Sequence, residues 1–139
     1  MGTTSLLTLA LVLFMSPLAH CEDMTDMVRS LDNATVQAQD AHNTYLGSIS
    51  SEHSGNSIFN DFGAHGGQNQ LDSVWNPLWV FGSPWSPWSS SNEFASAPPR
   101  IIKDGAVIGY LTTNPDFPNR INPIQLKTLK PLFTLPEGC

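Results

Sequence analysis

The sequence predicts a small α+β protein with an N-terminal helix, a turn-rich aromatic repeat, a β-hairpin and a short C-terminal helix. Three observations predict it: apolar residues at helical spacing near the N-terminus, Ser and Asn recurring at a constant interval in mid-chain, and Asp-Gly between two β-branched runs. Only 13% of the 139 residues are charged. Ser, Asn, Gly, Pro and Thr must therefore supply most of the polar surface, and they favour turns over long helices.

Segment 1–21 is predicted to be a cleavable secretory signal. The run from Ser5 to Leu18 carries no charge, and Ala19 stands three positions before a cleavage point after Cys21. This run is too short to span the bilayer, which takes about 20 apolar residues. We therefore predict a secreted or periplasmic protein with no stable membrane span after signal removal; the alternative is an uncleaved anchor.

The cleavage point decides the cysteine chemistry, because Cys21 and Cys139 are the 2 cysteines of the chain. Cleavage after Cys21 leaves Cys139 as a free thiol, the outcome that we favour. Cleavage after Ala19 retains both cysteines, and an exported protein then permits a disulfide between the two chain ends.

The remaining chain is short enough for one small domain, divided into three segments. Segment 22–46 is predicted to be helical, with Asp23 as its N-cap and one apolar face formed by Met24, Met27, Val28 and Leu31. Residues 47–56 are rich in Gly and Ser and are predicted to form a flexible linker, so the helix need not pack on the rest. Residues 57–139 are predicted to form the turn-rich repeat and hairpin domain.

The repeat is found by sliding the sequence against itself until Ser57 falls on Ser73. The positions that then coincide are Ser57, Ser73 and Ser89, Asn60, Asn76 and Asn92, and Gly66 with Gly82. Ser and Asn side chains bond to nearby backbone and hold turns. We expect the large apolar residues flanking each Asn to supply buried area.

The same alignment divides the tryptophans into two groups. Trp75 occupies the position of Phe59 in the preceding unit, so it is expected in the core. The other tryptophans align with Gly or polar residues and are expected to be exposed, where they are candidates for ligand binding. These candidates are Trp79, Trp85 and Trp88.

Two local signals predict the elements of the C-terminal part. Asp104-Gly105 between β-branched runs predicts a type I′ hairpin with strands near 100–103 and 106–112. Asn122 as N-cap and Pro123 at the first helical position predict a short helix that stops at Pro131, followed by an extended tail.

The stretch from residue 73 to residue 114 is close to the pattern S-x-W-N-x-Y-G-x-Y-G-S-x-Y-S-x-x-S-x-x-N-x-Y-A-x-x-P-P, followed by a hairpin with G-x-L-T-x-N. The matching residues are Ser73, Trp75, Asn76, Gly82, Ser83, Ser86, Ser89, Asn92, Ala95, Pro98, Pro99, Gly109, Leu111, Thr112 and Asn114. With these residues the stretch resembles a family of small exported bacterial proteins of uncharacterised function. The resemblance implies an exported bacterial protein and carries over no catalytic residue.

Composition and motifs exclude several function classes. A net charge of −6 with 6 Lys and Arg provides no basic surface for nucleic acid. The sequence contains no nucleophile motif and no carboxylate pair of the kind that predicts an enzyme. The candidate metal ligands lack metal-site spacing and are expected to be solvated loop residues: His42, His53, His65 and Asp61. No metal or cofactor is therefore expected.

Two function classes remain. The first is an exported structural or interaction module, for which a component of the envelope or cell wall is one expected partner. The alternative is a carbohydrate- or peptide-binding module that uses exposed Trp side chains.

Overall fold

The computed structural model describes residues 24–134, and its elements confirm a small α+β protein. Helix α1 covers residues 24–31 of this range. The elements that follow are β1 (Ala34–Gln37), β2 (Tyr45–Ile49), β3 (Arg100–Lys103), β4 (Ala106–Leu111), β5 (Arg120–Ile121), α2 (Pro123–Thr128) and a 3₁₀ helix (Lys130–Phe133).

The five strands form one mixed sheet in the order β2-β1-β3-β4-β5. Neighbouring strands are antiparallel except for β4 and β5, which are parallel. The sheet shares one apolar core with the remaining elements. That core includes Leu31, Val36, Leu46, Ile58, Phe59, Val74, Ile101, Leu111, Leu126 and Phe133.

The predicted hairpin is confirmed. β3 pairs antiparallel with β4, and Lys103 faces Ala106 across the turn. Asp104 and Gly105 have φ of 52° and 79°, the positive values that a type I′ turn requires at both central positions.

The prediction of a long helical segment over residues 22–46 is wrong beyond residue 31. Asn33 has φ of 64°, which ends the helical path, and its N–H donates to the carbonyl of Ile49 at 2.8 Å. The chain then enters β1, where Val36 pairs with Gly47 on one side and Ile101 on the other. Helix α1 is not detached either, because Leu31 is buried in the core.

Residues 47–49 lie in β2 and not in a flexible linker. Gly47 has φ of 113°, and a Cβ there would lie 2.7 Å from the Cβ of His65. The N–H and carbonyl of Ser48 bond to Asn56 and Ile58, at 2.8 and 2.9 Å. Backbone hydrogen bonds therefore fix both ends of segment 47–56, which is predicted to be flexible from its Gly and Ser content.

Residues 51–97, which we call the turn array, follow one another in consecutive short turns. Backbone N–H groups donate to the carbonyl three residues earlier throughout the array, for example Ser57 to Ser54, Asn60 to Ser57 and Asn76 to Ser73. The array also bonds to the segment that follows β4, where the N–H of Thr113 donates to the carbonyl of Ser90 at 3.0 Å.

The C-terminal helix α2 is confirmed, with Asn122 as N-cap accepting from the N–H groups of Ile124 and Gln125 and with Pro123 in the first turn. The tail after Pro131 is not extended at first, because Lys130–Phe133 form a 3₁₀ helix. Burial of Phe133 explains the difference, since its ring lies 5.3 Å from that of Phe59 in the core.

The predicted signal segment, residues 1–21, lies outside the described residues, as does each of the two cysteines. Between residues 24 and 134, no helix combines the length and apolar character that crossing a bilayer requires.

Candidate functional site

Three asparagines hold the turn array by the same pair of hydrogen bonds. Asn60, Asn76 and Asn92 each donate from Nδ2 to the carbonyl six residues earlier, at 3.1, 2.9 and 2.9 Å. Each accepts at Oδ1 from the N–H two residues later, at 3.0, 3.0 and 2.9 Å. These side chains thus replace backbone partners that a helix or a sheet supplies elsewhere.

Serines provide a second recurring contact. The hydroxyl oxygens of Ser57, Ser73 and Ser89 accept from the N–H two residues later, at 3.0, 3.2 and 3.0 Å. Ser83 and Ser86 accept in the same way from the N–H groups of two tryptophans, at 3.1 and 3.2 Å. A short side-chain bond therefore orients the backbone in many of the turns.

Gly66 and Gly82 allow the chain to fold back closely on the asparagines. A Cβ at Gly66 would overlap the carbonyl oxygen of Asn60, and one at Gly82 would overlap that of Asn76. The recurrence of Gly at this spacing therefore has a steric cause.

The apolar residue two positions after each Asn faces solvent. Phe62, Leu78 and Phe94 are 99%, 87% and 86% exposed, so the burial expected of the large residue flanking each Asn is wrong at these positions. Phe59, on the N-terminal side of Asn60, is buried at 2% as expected. We call Phe62, Leu78 and Phe94 the apolar triplet.

The structure also exposes Trp79, Trp85 and Trp88, as the repeat alignment predicts, with 48%, 86% and 37% of each side chain accessible. The backbone N–H groups of Trp85 and Trp88 donate to the hydroxyls of Ser83 and Ser86. These bonds place the two tryptophans in successive turns. No ring contact joins the three indoles within the described range, so they do not form one stacked platform.

A cleft of about 580 Å³ lies where α2 meets the turn array. Its lining residues are Trp75, Pro77, Gly82, Pro84, Ser91, Pro123, Ile124, Lys127 and Thr128. Lys127 Nζ lies 4.7 Å from the centroid of the Trp75 ring, close enough for a cation–π contact.

Sequence reasoning missed this cleft, because it assigned Trp75 to the core and gave Lys127 no role. Trp75 packs against the core but is only half-buried. A lysine four positions after a helical proline gives no local sign that the helix will pack against an indole from a distant part of the chain. Only the packing of α2 on the array brings these side chains together.

The histidines and acids form no metal centre among residues 24–134, where no group of three or more His, Cys, Asp or Glu is placed to hold an ion. His65 lies in a turn as expected but also contacts other residues. Its Nδ1 lies 3.0 Å from the carbonyl oxygen of Asp72, and its ring packs edge-on against Tyr45 at 5.0 Å.

One carboxyl has a displaced pKa. Burial raises the pKa of Asp40, but the hydrogen bonds from the hydroxyl and N–H of Thr44, at 2.6 and 2.9 Å, act together with the backbone N–H and the charge of His42 to lower the pKa below its ordinary value. Asp40 lies in the connection between β1 and β2, so this pairing stabilises a turn and suggests no proton transfer.

Comparisons with known proteins add no assignment: no protein-family model, no curated protein and no solved structure matches this chain.

Proposed function

We propose that the protein is an exported structural or interaction module that binds a partner surface through the apolar triplet. The observation that supports this proposal is the exposure of Phe62, Leu78 and Phe94 at equivalent positions of three units. Because equivalent positions of stacked repeats follow one another along the array, we expect the three side chains to share one side of it. Large contiguous apolar patches are rare on monomeric proteins and mark interaction sites.

Hydrogen bonds hold the backbone of the triplet in place, which favours binding. The backbone N–H of each member donates to the Oδ1 of an asparagine two residues earlier, so these backbone positions are ordered before a partner arrives. Preorganised groups lose less conformational entropy on association than flexible ones. Export, as the N-terminal sequence predicts, would place this surface in the envelope or outside the cell.

A triple variant tests the proposal: Phe62→Ser, Leu78→Ser and Phe94→Ser together. Wild-type protein is expected to self-associate in sedimentation velocity or to cosediment with envelope fragments of the producing cell, and the triple variant to do neither. The variant should remain folded, because these side chains are exposed.

Leu71→Ser/Val107→Ser is the matched control. It removes two side chains that are 57% and 47% exposed but lie outside the triplet, and it should associate as the wild type does. A wild type that stays monomeric and in the supernatant, or a triple variant that associates normally, would contradict the proposal.

Exposed tryptophans favour a second candidate, a carbohydrate- or peptide-binding module. Trp85 and Trp88 lie in successive turns with their N–H groups bonded to serine hydroxyls, so their backbone is fixed. Indoles in such a setting stack on sugars or peptide side chains. Trp85→Ser/Trp88→Ser should abolish saccharide or peptide binding at these two indoles and leave association through the triplet intact; the opposite pattern would reject this candidate.

A further inference from the structure

We infer that the cleft between α2 and the turn array binds an acidic saccharide, a sugar that carries a carboxylate. Neither the apolar triplet nor the three exposed tryptophans lines this cleft, so the inference is independent of the proposed function. The volume of about 580 Å³ falls within the roughly 300–1,000 Å³ of typical ligand pockets.

Trp75 provides a fixed aromatic surface in the cleft. Its backbone N–H donates to the Ser73 hydroxyl at 3.2 Å, and its indole N–H donates to the carbonyl of Ile58. The indole is thus anchored, and its only indole donor is already used. What Trp75 offers a ligand is therefore the face of its ring, which suits the apolar C–H face of a pyranose.

Lys127 gives the cleft its charge. Within residues 24–134, no carboxylate lines the cleft and none forms an ion pair with Lys127, although the whole chain has a net charge of −6. In the free protein the ammonium group lies against the Trp75 ring. A carboxylate is a stronger, charge-assisted partner for the ammonium group than the ring is. A ligand with a carboxylate therefore moves the Lys127 ammonium away from Trp75 and exposes the ring face for stacking.

The remaining lining favours a saccharide over an acidic peptide. Ser91 and Thr128, which both carry hydroxyls, are lining residues of the cleft. The Thr128 hydroxyl donates to the carbonyl of Gln125 at 2.6 Å, so its oxygen remains free to accept from a sugar hydroxyl. A uronic or sialic acid presents an apolar face, several hydroxyls and one carboxylate together, which matches Trp75, these hydroxyls and Lys127.

The test uses fluorescence of Trp75 in the full chain. The chain has 4 tryptophans, so Trp79→Phe, Trp85→Phe and Trp88→Phe leave Trp75 as the one indole. This background protein is titrated with a galacturonate trimer and with sialyllactose. Their uncharged counterparts, the trimer methyl ester and lactose, and a hexaglutamate peptide are titrated in parallel, each at low and at high salt.

At least one acidic saccharide should change Trp75 emission saturably, and its uncharged counterpart should bind at least about tenfold more weakly. Added salt should weaken the charged ligand and leave the uncharged one unchanged. Lys127→Met should reduce affinity for the acidic saccharide by the same factor, while Lys127→Arg should retain most of it.

Lys103→Met is the matched control, because it removes the same charge from β3, where Lys103 Nζ bonds to the carbonyl of Arg29. It should bind as the parent does. Melting temperatures establish that each variant is folded. The inference is overturned if neither acidic saccharide changes the emission, if an uncharged counterpart binds equally well, if hexaglutamate binds as tightly, or if Lys127→Met binds normally.

Discussion

Replacing Asn76 by Ala should destabilise the protein by about 2–4 kcal/mol. The Asn76 side chain is only 6% exposed, and it serves two backbone groups at once, the carbonyl of Gln70 at 2.9 Å and the N–H of Leu78 at 3.0 Å. Each backbone group left unpaired away from water costs about 1–3 kcal/mol. We take the lower half of that range because both bonds are only partly buried.

Equilibrium urea unfolding, followed by circular dichroism, measures this loss. With a slope of about 2 kcal/mol per molar urea, typical of small proteins, the midpoint should fall by roughly 1–2 M. Asn92→Ala should behave similarly, since its two bonds are 2.9 Å each. Asn69→Ala makes the same chemical change at an exposed position of the array and should shift the midpoint little.

An Asn76→Ala midpoint equal to that of Asn69→Ala would refute the reasoning. It would mean that water bonds to the two backbone groups in the variant, and that the asparagine side chains contribute little to the stability of the turns. A change in slope with no change in midpoint would point instead to an altered denatured state.

Three further changes test other parts of the fold. Gly82→Ala should cost about 3 kcal/mol or more, because its Cβ overlaps the Asn76 carbonyl, whereas Gly55→Ala meets open space and should leave the melting temperature nearly unchanged. Gly105→Val should cost about 1–3 kcal/mol in thermal unfolding through its φ of 79° alone, since nothing lies within 4 Å of the added Cβ; an unchanged melting temperature would exclude the type I′ turn. Because the pKa of Asp40 is lowered in the folded protein, its carboxylate stabilises the fold above about pH 4, and this stabilisation is lost as the pH falls through the folded pKa. Asp40→Asn should therefore reduce the fall in melting temperature at acidic pH. An unchanged dependence of melting temperature on pH would contradict this.

The elements that could be predicted from the sequence are those fixed by adjacent residues. Asp104-Gly105 specifies its own turn, and Asn122-Pro123 specifies a helix start, so neither depends on the rest of the chain. β1 and β2 carry no such signal. Residues Ala34–Gln37 become a strand by pairing with β3, which lies beyond the whole turn array in the sequence, and β2 contains Gly47 and Ser48, which have low strand preference.

The candidate sites divide in the same way. Exposure of Trp85 follows from its alignment with the polar Asn69, a comparison that the sequence alone permits. The burial expected beside each Asn is wrong for Phe62. In the turn where the Phe62 N–H donates to Asn60 Oδ1, the Phe62 side chain faces solvent. The cleft needs α2 to pack on the array, which no local pattern of residues specifies.

The recurrence of identical bonds in successive units has a consequence for how this protein can evolve. Insertion or deletion of one complete unit leaves each Asn with its carbonyl six residues earlier and its N–H two residues later, so the side-chain hydrogen bonds within each remaining unit are kept. A length change between Asn76 and Gly82 instead separates Gly82 from the carbonyl that it must accommodate. Natural variation in array length should therefore occur in steps equal to the interval from Asn76 to Asn92.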